Sequence, residues 1–255
     1  MNRPLVIAHR GFSARHIENT MTAYRAAIAA GADLVESDAR LSKDGEVWSC
    51  HDATLQRLTG DTRAIADLTS SELSEVALSG GERLATLRQV LGQIAREKPV
   101  LIDVKTGDPD LIDAIVQEVK SSGTVKRVWI GMRSSAQIKR AKAAEPDLSL
   151  LAFLPNYAMA EEFARAGARA FRVWEGDLDQ AFEPLMRSQR TVWVTTGGKG
   201  TPCEVGDTTP ERIRRILRRR PDGILLNDPM LLLGNDSEPD LAHANSTNVA
   251  DGASS

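Results

Sequence analysis

Leu5-Val6-Ile7-Ala8-His9-Arg10-Gly11-Phe12-Ser13 opens with an apolar run of strand length and passes directly into a histidine, an arginine and a glycine. Residues 20–30 follow with a helical period, and Asn19 stands before them as an N-cap, so the two stretches form a βα unit. The residues at the turn between them separate the two ways such units assemble. An open, doubly wound sheet usually places Gly-x-Gly-x-x-Gly there for a dinucleotide, and His9 to Ser13 carries no such pattern. The turn favours a closed barrel.

Outward from this unit, apolar runs of strand length alternate with helical segments. Strands are expected at residues 33–40, 99–104, 127–131, 148–154, 168–173, 191–195 and 223–226, with a further extended run at 45–50 and a helix at 87–96. About eight alternations is the count of a closed parallel (β/α)₈ TIM barrel, and 255 residues suit one such domain. A polar stretch at 53–85 reads as a small insertion after the second strand. Residues 235–255 are rich in Ser, Asn, Asp and Ala without apolar periodicity, so the domain is placed at 1–234 with a flexible C-terminal tail.

Lys and Arg number 32 against 35 Asp and Glu, a net charge of −3 that argues against a nucleic-acid or anionic-membrane partner in bulk. Any phosphate is met by a local site. Cys50 and Cys203 lie far apart and lack the spacing of a disulfide framework or a zinc site. The first apolar run is too brief for a signal-peptide core and no run reaches membrane-span length, so a cytoplasmic location without stable membrane insertion is expected.

Charged residues collect where apolar strands end, which in a parallel barrel is the rim that carries the active site. His9 and Arg10 follow the first strand, Glu36 and Asp38 close the second, His51 and Asp52 follow the run ending at Cys50, and Asp103 and Lys105 close the third. Glu36 and Asp38 are two apart, so in an extended strand they share one face. With Asp103 they offer three hard oxygen donors, a set for Mg²⁺ or Ca²⁺ rather than zinc. The competing reading is a structural network in which these acids pair with Arg10, Arg40 or Lys105. His9 and His51 supply the proton acceptor and donor that phosphodiester cleavage needs, and Arg10 and Lys105 the positive charge for phosphoryl oxygens. Trp193, on the seventh barrel strand, either walls the pocket as a substrate contact or fills the core. His16 reads as a solvated loop residue, His243 falls in the tail, and the arginines at 214, 215 and 218–220 read as a solvated helix face.

The chain resembles the glycerophosphodiester phosphodiesterases over most of its length, to about residue 233. The resemblance rests on Ala8-His9-Arg10-Gly11, Glu18-Asn19-Thr20, Ala30-Gly31-Ala32-Asp33, Glu36-Ser37-Asp38, Lys43-Asp44-Gly45, His51-Asp52 and Leu55-Gln56-Arg57-Leu58-Thr59-Gly60 in order and spacing. Weaker matches are Leu84-Ala85-Thr86-Leu87, Ile102-Asp103-Val104-Lys105 and Asp222-Gly223-Ile224-Leu225-Leu226-Asn227-Asp228-Pro229. It implies a TIM barrel whose insertion, here 53–85, covers the pocket. It also implies His9 and His51 as the acid/base pair, Glu36 and Asp38 as metal ligands, and Arg10 and Lys105 on the phosphate. Three positions depart from the family pattern: Ile17 for proline, Asp103 for glutamate and Asn227 for threonine. Aspartate is one methylene shorter, so Asp103 reaches a metal through water or requires a shifted strand.

The expected activity is metal-dependent hydrolysis of a small-molecule glycerophosphodiester to glycerol phosphate and an alcohol. The alternatives are another diester, such as a sugar phosphodiester or a lysophospholipid, and a barrel that binds phosphodiesters without turnover.

Overall fold

The computed structural model describes residues 3–234, so the segment read as a tail lies outside the described residues. Among the described residues nine strands form: β1 Leu5–Ala8, β2 Leu34–Leu41, β3 Val47–Trp48, β4 Val100–Val104, β5 Val128–Met132, β6 Ser149–Phe153, β7 Ala170–Trp174, β8 Thr191–Thr195 and β9 Gly223–Leu226. Eight of them are parallel neighbours in the order β1, β9, β8, β7, β6, β5, β4, β2, and β2 pairs back onto β1. The ring is closed, with helices between successive strands, as the turn at His9 implied.

The extended run at 45–50 is corrected. Only Val47–Trp48 is strand, and it lies antiparallel on the far half of β2, with Arg40 opposite Trp48 and Leu41 opposite Val47. β2 overshoots the rim, and the chain turns back at Gly45, where φ is 86°. The return delivers His51 to the barrel mouth, where its carbonyl accepts from Arg40 Nε and Nη2 at 3.0 and 2.7 Å. The helix cap is corrected as well. Thr20, not Asn19, caps the helix Met21–Ala29, its hydroxyl accepting from the Ala23 N–H at 3.1 Å.

Two cores flank the strands. Val6, Ala8, Val35, Ile102, Ile130 and Val194 face outward to the helices, while Ile7, Leu34, Leu101, Leu151, Ala170, Trp193 and Leu225 fill the barrel interior. Strand side chains alternate, so the residue two positions beyond each interior residue points inward nearer the mouth. His9 stands above Ile7, Glu36 and Asp38 above Leu34, and Asp103 and Lys105 above Leu101. Phe153 stands above Leu151, Arg172 and Trp174 above Ala170, and Thr195 above Trp193. The apolar floor and the polar mouth are successive layers of one barrel.

Residues 53–85 build a small core of their own around Leu55, Ile65, Leu68, Leu73 and Leu78, joined to Trp48 and Cys50. None of them lines the central cavity, but Arg57 reaches the rim, donating to Asp52 Oδ2 at 2.5 Å and to Glu18 at 2.6 and 3.0 Å. No helix among the described residues is long and apolar enough to cross a membrane. The arginine run lies on the helix Pro210–Arg218 and beyond its end, where Arg215 and Arg219 both hold Asp179 on the exterior.

Candidate active site

A cavity of about 240 Å³ opens at the mouth of the barrel, and His9, Arg10, Glu36, His51, Asp103 and Lys105 all line it. Four strands or their following loops thus bring together all the site residues read from the sequence except Asp38 and Trp193. Asp38, with 1 % exposure, is covered by its partners Arg10 and Lys105. Trp193 is 2 % exposed and packs its ring 4.8 Å from that of Trp129 in the interior layer, so it belongs to the floor and makes no part of the cavity wall. The wall position on β8 is Thr195.

The acids are built into the wall by register. Asp38 and Asp103 are directly paired across β2 and β4, and one oxygen from each of Glu36, Asp38 and Asp103 falls within 4.8 Å of the others. This is the one cluster of three potential ligands among the described residues. Glu36 Oε2 accepts from the Arg10 N–H at 2.7 Å. Burial, and then the neighbouring Asp38 charge, holds the Glu36 carboxyl well above the ordinary range. Burial also opposes ionisation of Asp38, but Lys105 and Arg10 outweigh it and keep that carboxyl below its usual value. Lys105 Nζ stands between the two aspartates, 2.6 Å from Asp38 Oδ1 and 2.5 Å from Asp103 Oδ2. Arg133 grips Asp103 on both oxygens at 2.5 and 3.0 Å. An all-carboxylate set with a repelled member fits a hard divalent cation such as Mg²⁺ or Ca²⁺, which relieves the repulsion between Glu36 and Asp38. The network reading is met by the ion pairs with Arg10 and Lys105, and the same three carboxylates form a cluster that could hold a metal.

Asn19, missed as a site residue, is the support under Asp38. It is fully buried with φ of 59°, donates from Nδ2 to Asp38 Oδ2 at 2.7 Å, and accepts from the Asp38 N–H at 3.1 Å. Its left-handed backbone is what takes it out of the cap position and turns its amide under the barrel mouth.

The two histidines are held through Nδ1, which leaves Nε2 for the cavity. His51 Nδ1 donates to Asp52 Oδ1 at 2.8 Å, and Asp52 is in turn fixed by Arg57. His9 Nδ1 lies 2.7 Å from Asn227 Oδ1. The orientation of that amide follows from its other contacts: Nδ2 donates to Asp207 Oδ1 at 2.7 Å and to the Val205 carbonyl at 3.3 Å. Its oxygen therefore faces His9, Nδ1 carries the proton, and Nε2 presents a lone pair. Burial, reinforced by Arg10, lowers the His9 pKa to about 4; burial and Lys105 lower that of His51. Both rings are neutral at pH 7. The sequence signalled Asn227 only as a departure from a pattern, and the carboxylate of Asp207 that orients it not at all.

A further part of the wall comes from β6, β7 and the residue after β5: Arg133, Phe153, Arg172 and Trp174. The Arg133 guanidinium lies 4.8 Å over the Phe153 ring, and that of Arg172 lies 3.6 Å over Trp174 and 4.9 Å from Phe153. A signal for Arg172 was present in the sequence, as a lone charge inside the apolar strand Ala170-Phe171-Arg172-Val173-Trp174.

The profile of the glycerophosphoryl diester phosphodiesterase family matches residues 9–142, the stretch that carries His9, the three acids, His51, Lys105 and Arg133. A glycerophosphodiester phosphodiesterase of Caldanaerobacter subterraneus subsp. tengcongensis is 27 % identical over 242 residues, 91 % of this chain and 97 % of its own. The solved glycerophosphodiester phosphodiesterase of Thermotoga maritima superposes with a TM-score of 0.75 at 26 % identity, covering 92 % of this chain and 99 % of its own. A phosphodiesterase of Oleispira antarctica, solved with sn-glycerol-3-phosphate, has the same fold, with a TM-score of 0.78 at 19 % identity over 92 % of this chain and 98 % of its own. A closed barrel with paired histidines over a carboxylate cluster, matched by the family profile over residues 9–142 and by sequence over 91 % of the chain, places the chain in the glycerophosphoryl diester phosphodiesterase family.

Proposed function

We propose that this protein hydrolyses glycerophosphodiesters to glycerol phosphate and an alcohol, with His9 and His51 as the acid/base pair. The observation that carries the reading is the pair of imidazoles lining one cavity with a buried carboxylate trio. Glu36, Asp38 and Asp103 would hold the divalent cation, Mg²⁺ or Ca²⁺, which when bound supplies charge to polarise the phosphoryl oxygens. Arg10 and Lys105 line the same cavity and bind the phosphate. His51, backed by the Asp52 carboxylate, is the better proton acceptor, because that carboxylate stabilises the imidazolium formed. His9 has only a neutral amide behind it, so its imidazolium is the more acidic of the two and is the one assigned to protonate the leaving alkoxide. Arg57 ties the 53–85 insertion to Asp52 and thereby braces the base.

The test is product release by metal-stripped protein from glycerophosphocholine, glycerophosphoethanolamine and glycerophosphoglycerol, with Mg²⁺, Ca²⁺ or Mn²⁺ restored. Glycerol phosphate is expected only when metal is present. Release of free glycerol with phosphocholine or phosphoethanolamine, or no cleavage of any of the three, would overturn the reading.

Gly206 offers a check on the His9 support. A Cβ there would stand 2.1 Å from Asn227 Oδ1 and 2.5 Å from His9 Nδ1, on a backbone with φ of +90°. Gly206→Ala is expected to lower kcat roughly ten- to hundredfold with a smaller change in KM, since disturbing the partner that orients a functional histidine costs about that much. Unchanged kcat would show that the Asn227 contact does not position the ring.

A further inference from the structure

Three of the four cationic side chains lining the cavity have carboxylate partners. Arg10 holds Glu18, Lys105 holds Asp38 and Asp103, and Arg133 holds Asp103. Arg172 has none among the described residues: its guanidinium makes no ion pair or hydrogen bond and rests between the Trp174 and Phe153 rings. It is half-buried, and burial pulls its pKa down to about 10, which still leaves it charged at pH 7. Aromatic faces hold a cation in place but do not neutralise it, and Arg133 leans on the same Phe153 ring, adding a like charge nearby.

The position of Arg172 matters as much as its isolation. In the closed ring β7 lies four strands from β2 in either direction, so Arg172 faces the Glu36 and Asp38 wall across the full width of the mouth. A diester phosphate seated at Arg10, Lys105 and the carboxylate-bound cation already has its single negative charge answered. An anion for Arg172 therefore comes from elsewhere on the ligand.

We propose that Arg172 is a specificity residue that receives a second anionic group, a carboxylate or a phosphate, carried by one of the two organic substituents of the diester. The preferred substrates are then diesters with an additional negative charge rather than those of choline or ethanolamine. This rests on the hydrolytic reading of the site given above. Trp174 and Phe153 fix the plane of the guanidinium, presenting its N–H fork to a carboxylate or phosphate in the bidentate manner that arginine favours.

Two matched pairs test the proposal and separate the two anions. Glycerophosphoserine differs from glycerophosphoethanolamine by one carboxylate, and bis(glycerophospho)glycerol differs from glycerophosphoglycerol by one glycerophosphoryl group, which adds one phosphodiester charge. In at least one pair the kcat/KM ratio is expected to favour the more anionic member by about tenfold or more, the worth of one charge-assisted contact. Arg172→Gln brings that ratio to about one, and Arg172→Lys, which keeps charge without the planar fork, retains part of it. Ratios near one in the wild type, or a ratio that Arg172→Gln leaves unchanged while both rates fall, would overturn the proposal. Calorimetric titration with glycerol 3-phosphate and 3-phosphoglycerate separates this idea from the activity. Tighter binding of 3-phosphoglycerate that Arg172→Gln abolishes supports the anion site even if no diester is cleaved, whereas equal binding of the two counts against it even if hydrolysis is brisk.

Discussion

Asp38→Asn is expected to lower kcat/KM by roughly a thousandfold, the several kcal/mol of transition-state stabilisation that a catalytic metal and its charge arrangement supply. Asp38 is the residue on which the site's electrostatics converge. It is buried, its Oδ1 lies 2.6 Å from Lys105 Nζ, its Oδ2 accepts from Asn19, and the Arg10 guanidinium stands 3.4 Å away. Removing its charge weakens the metal donors, loosens Lys105, and leaves buried cations short of a partner, a class of change that destabilises by about 3–5 kcal/mol. The variant should therefore show weaker Mg²⁺ binding by calorimetry, a lower Tm and lost activity together. An Asp38→Asn protein that binds Mg²⁺ as the wild type does and retains its turnover would remove Asp38 from the metal site.

The sequence exposed this site because one segment, from His9 to Lys105, carries most of it on strand ends. Glu36-x-Asp38 and Asp103-x-Lys105 share the two-residue period of strands, and the period is enough to put each pair on one face. Closure of the ring was readable from the absence of a dinucleotide turn after β1 and from the count of alternations. The helix cap was misplaced because Asn and Thr are both good caps, and only the left-handed φ of Asn19 decides between them.

The far wall was hidden for a different reason. Strands of a parallel barrel are buried on both faces, so β5 and β6 read as apolar runs in which the inward parity cannot be recognised. Trp193 shows the depth problem: it has the same parity as Thr195 but sits one layer lower, where the interior of the barrel closes. The β3 hairpin was hidden because His51 follows an apolar run that looks like a barrel strand. Its antiparallel pairing depends on β2 continuing beyond the rim, which no local pattern announces. Arg172 lay in plain view as a charge inside a strand, and only ring closure shows that it confronts β2.

His9→Ala and His51→Ala are each expected to lose about 10²- to 10⁴-fold in kcat on glycerophosphodiesters, the range over which a positioned acid or base contributes. The two losses should differ in their dependence on the leaving group. A glycerophosphodiester releases a basic alkoxide that needs a proton, whereas bis(p-nitrophenyl) phosphate releases p-nitrophenolate, which departs without one. If His9 is the acid, His9→Ala is spared on the p-nitrophenyl diester, while His51→Ala, lacking the base held by Asp52, is impaired on both substrates. The double variant should lose less than the product of the two single losses, because groups that serve one proton relay act as a unit. Sparing of His51→Ala instead would exchange the two roles without disturbing the site. Retention of glycerophosphodiester turnover to within about tenfold in both single variants would remove the histidine pair from the chemistry altogether, however well the cavity is formed.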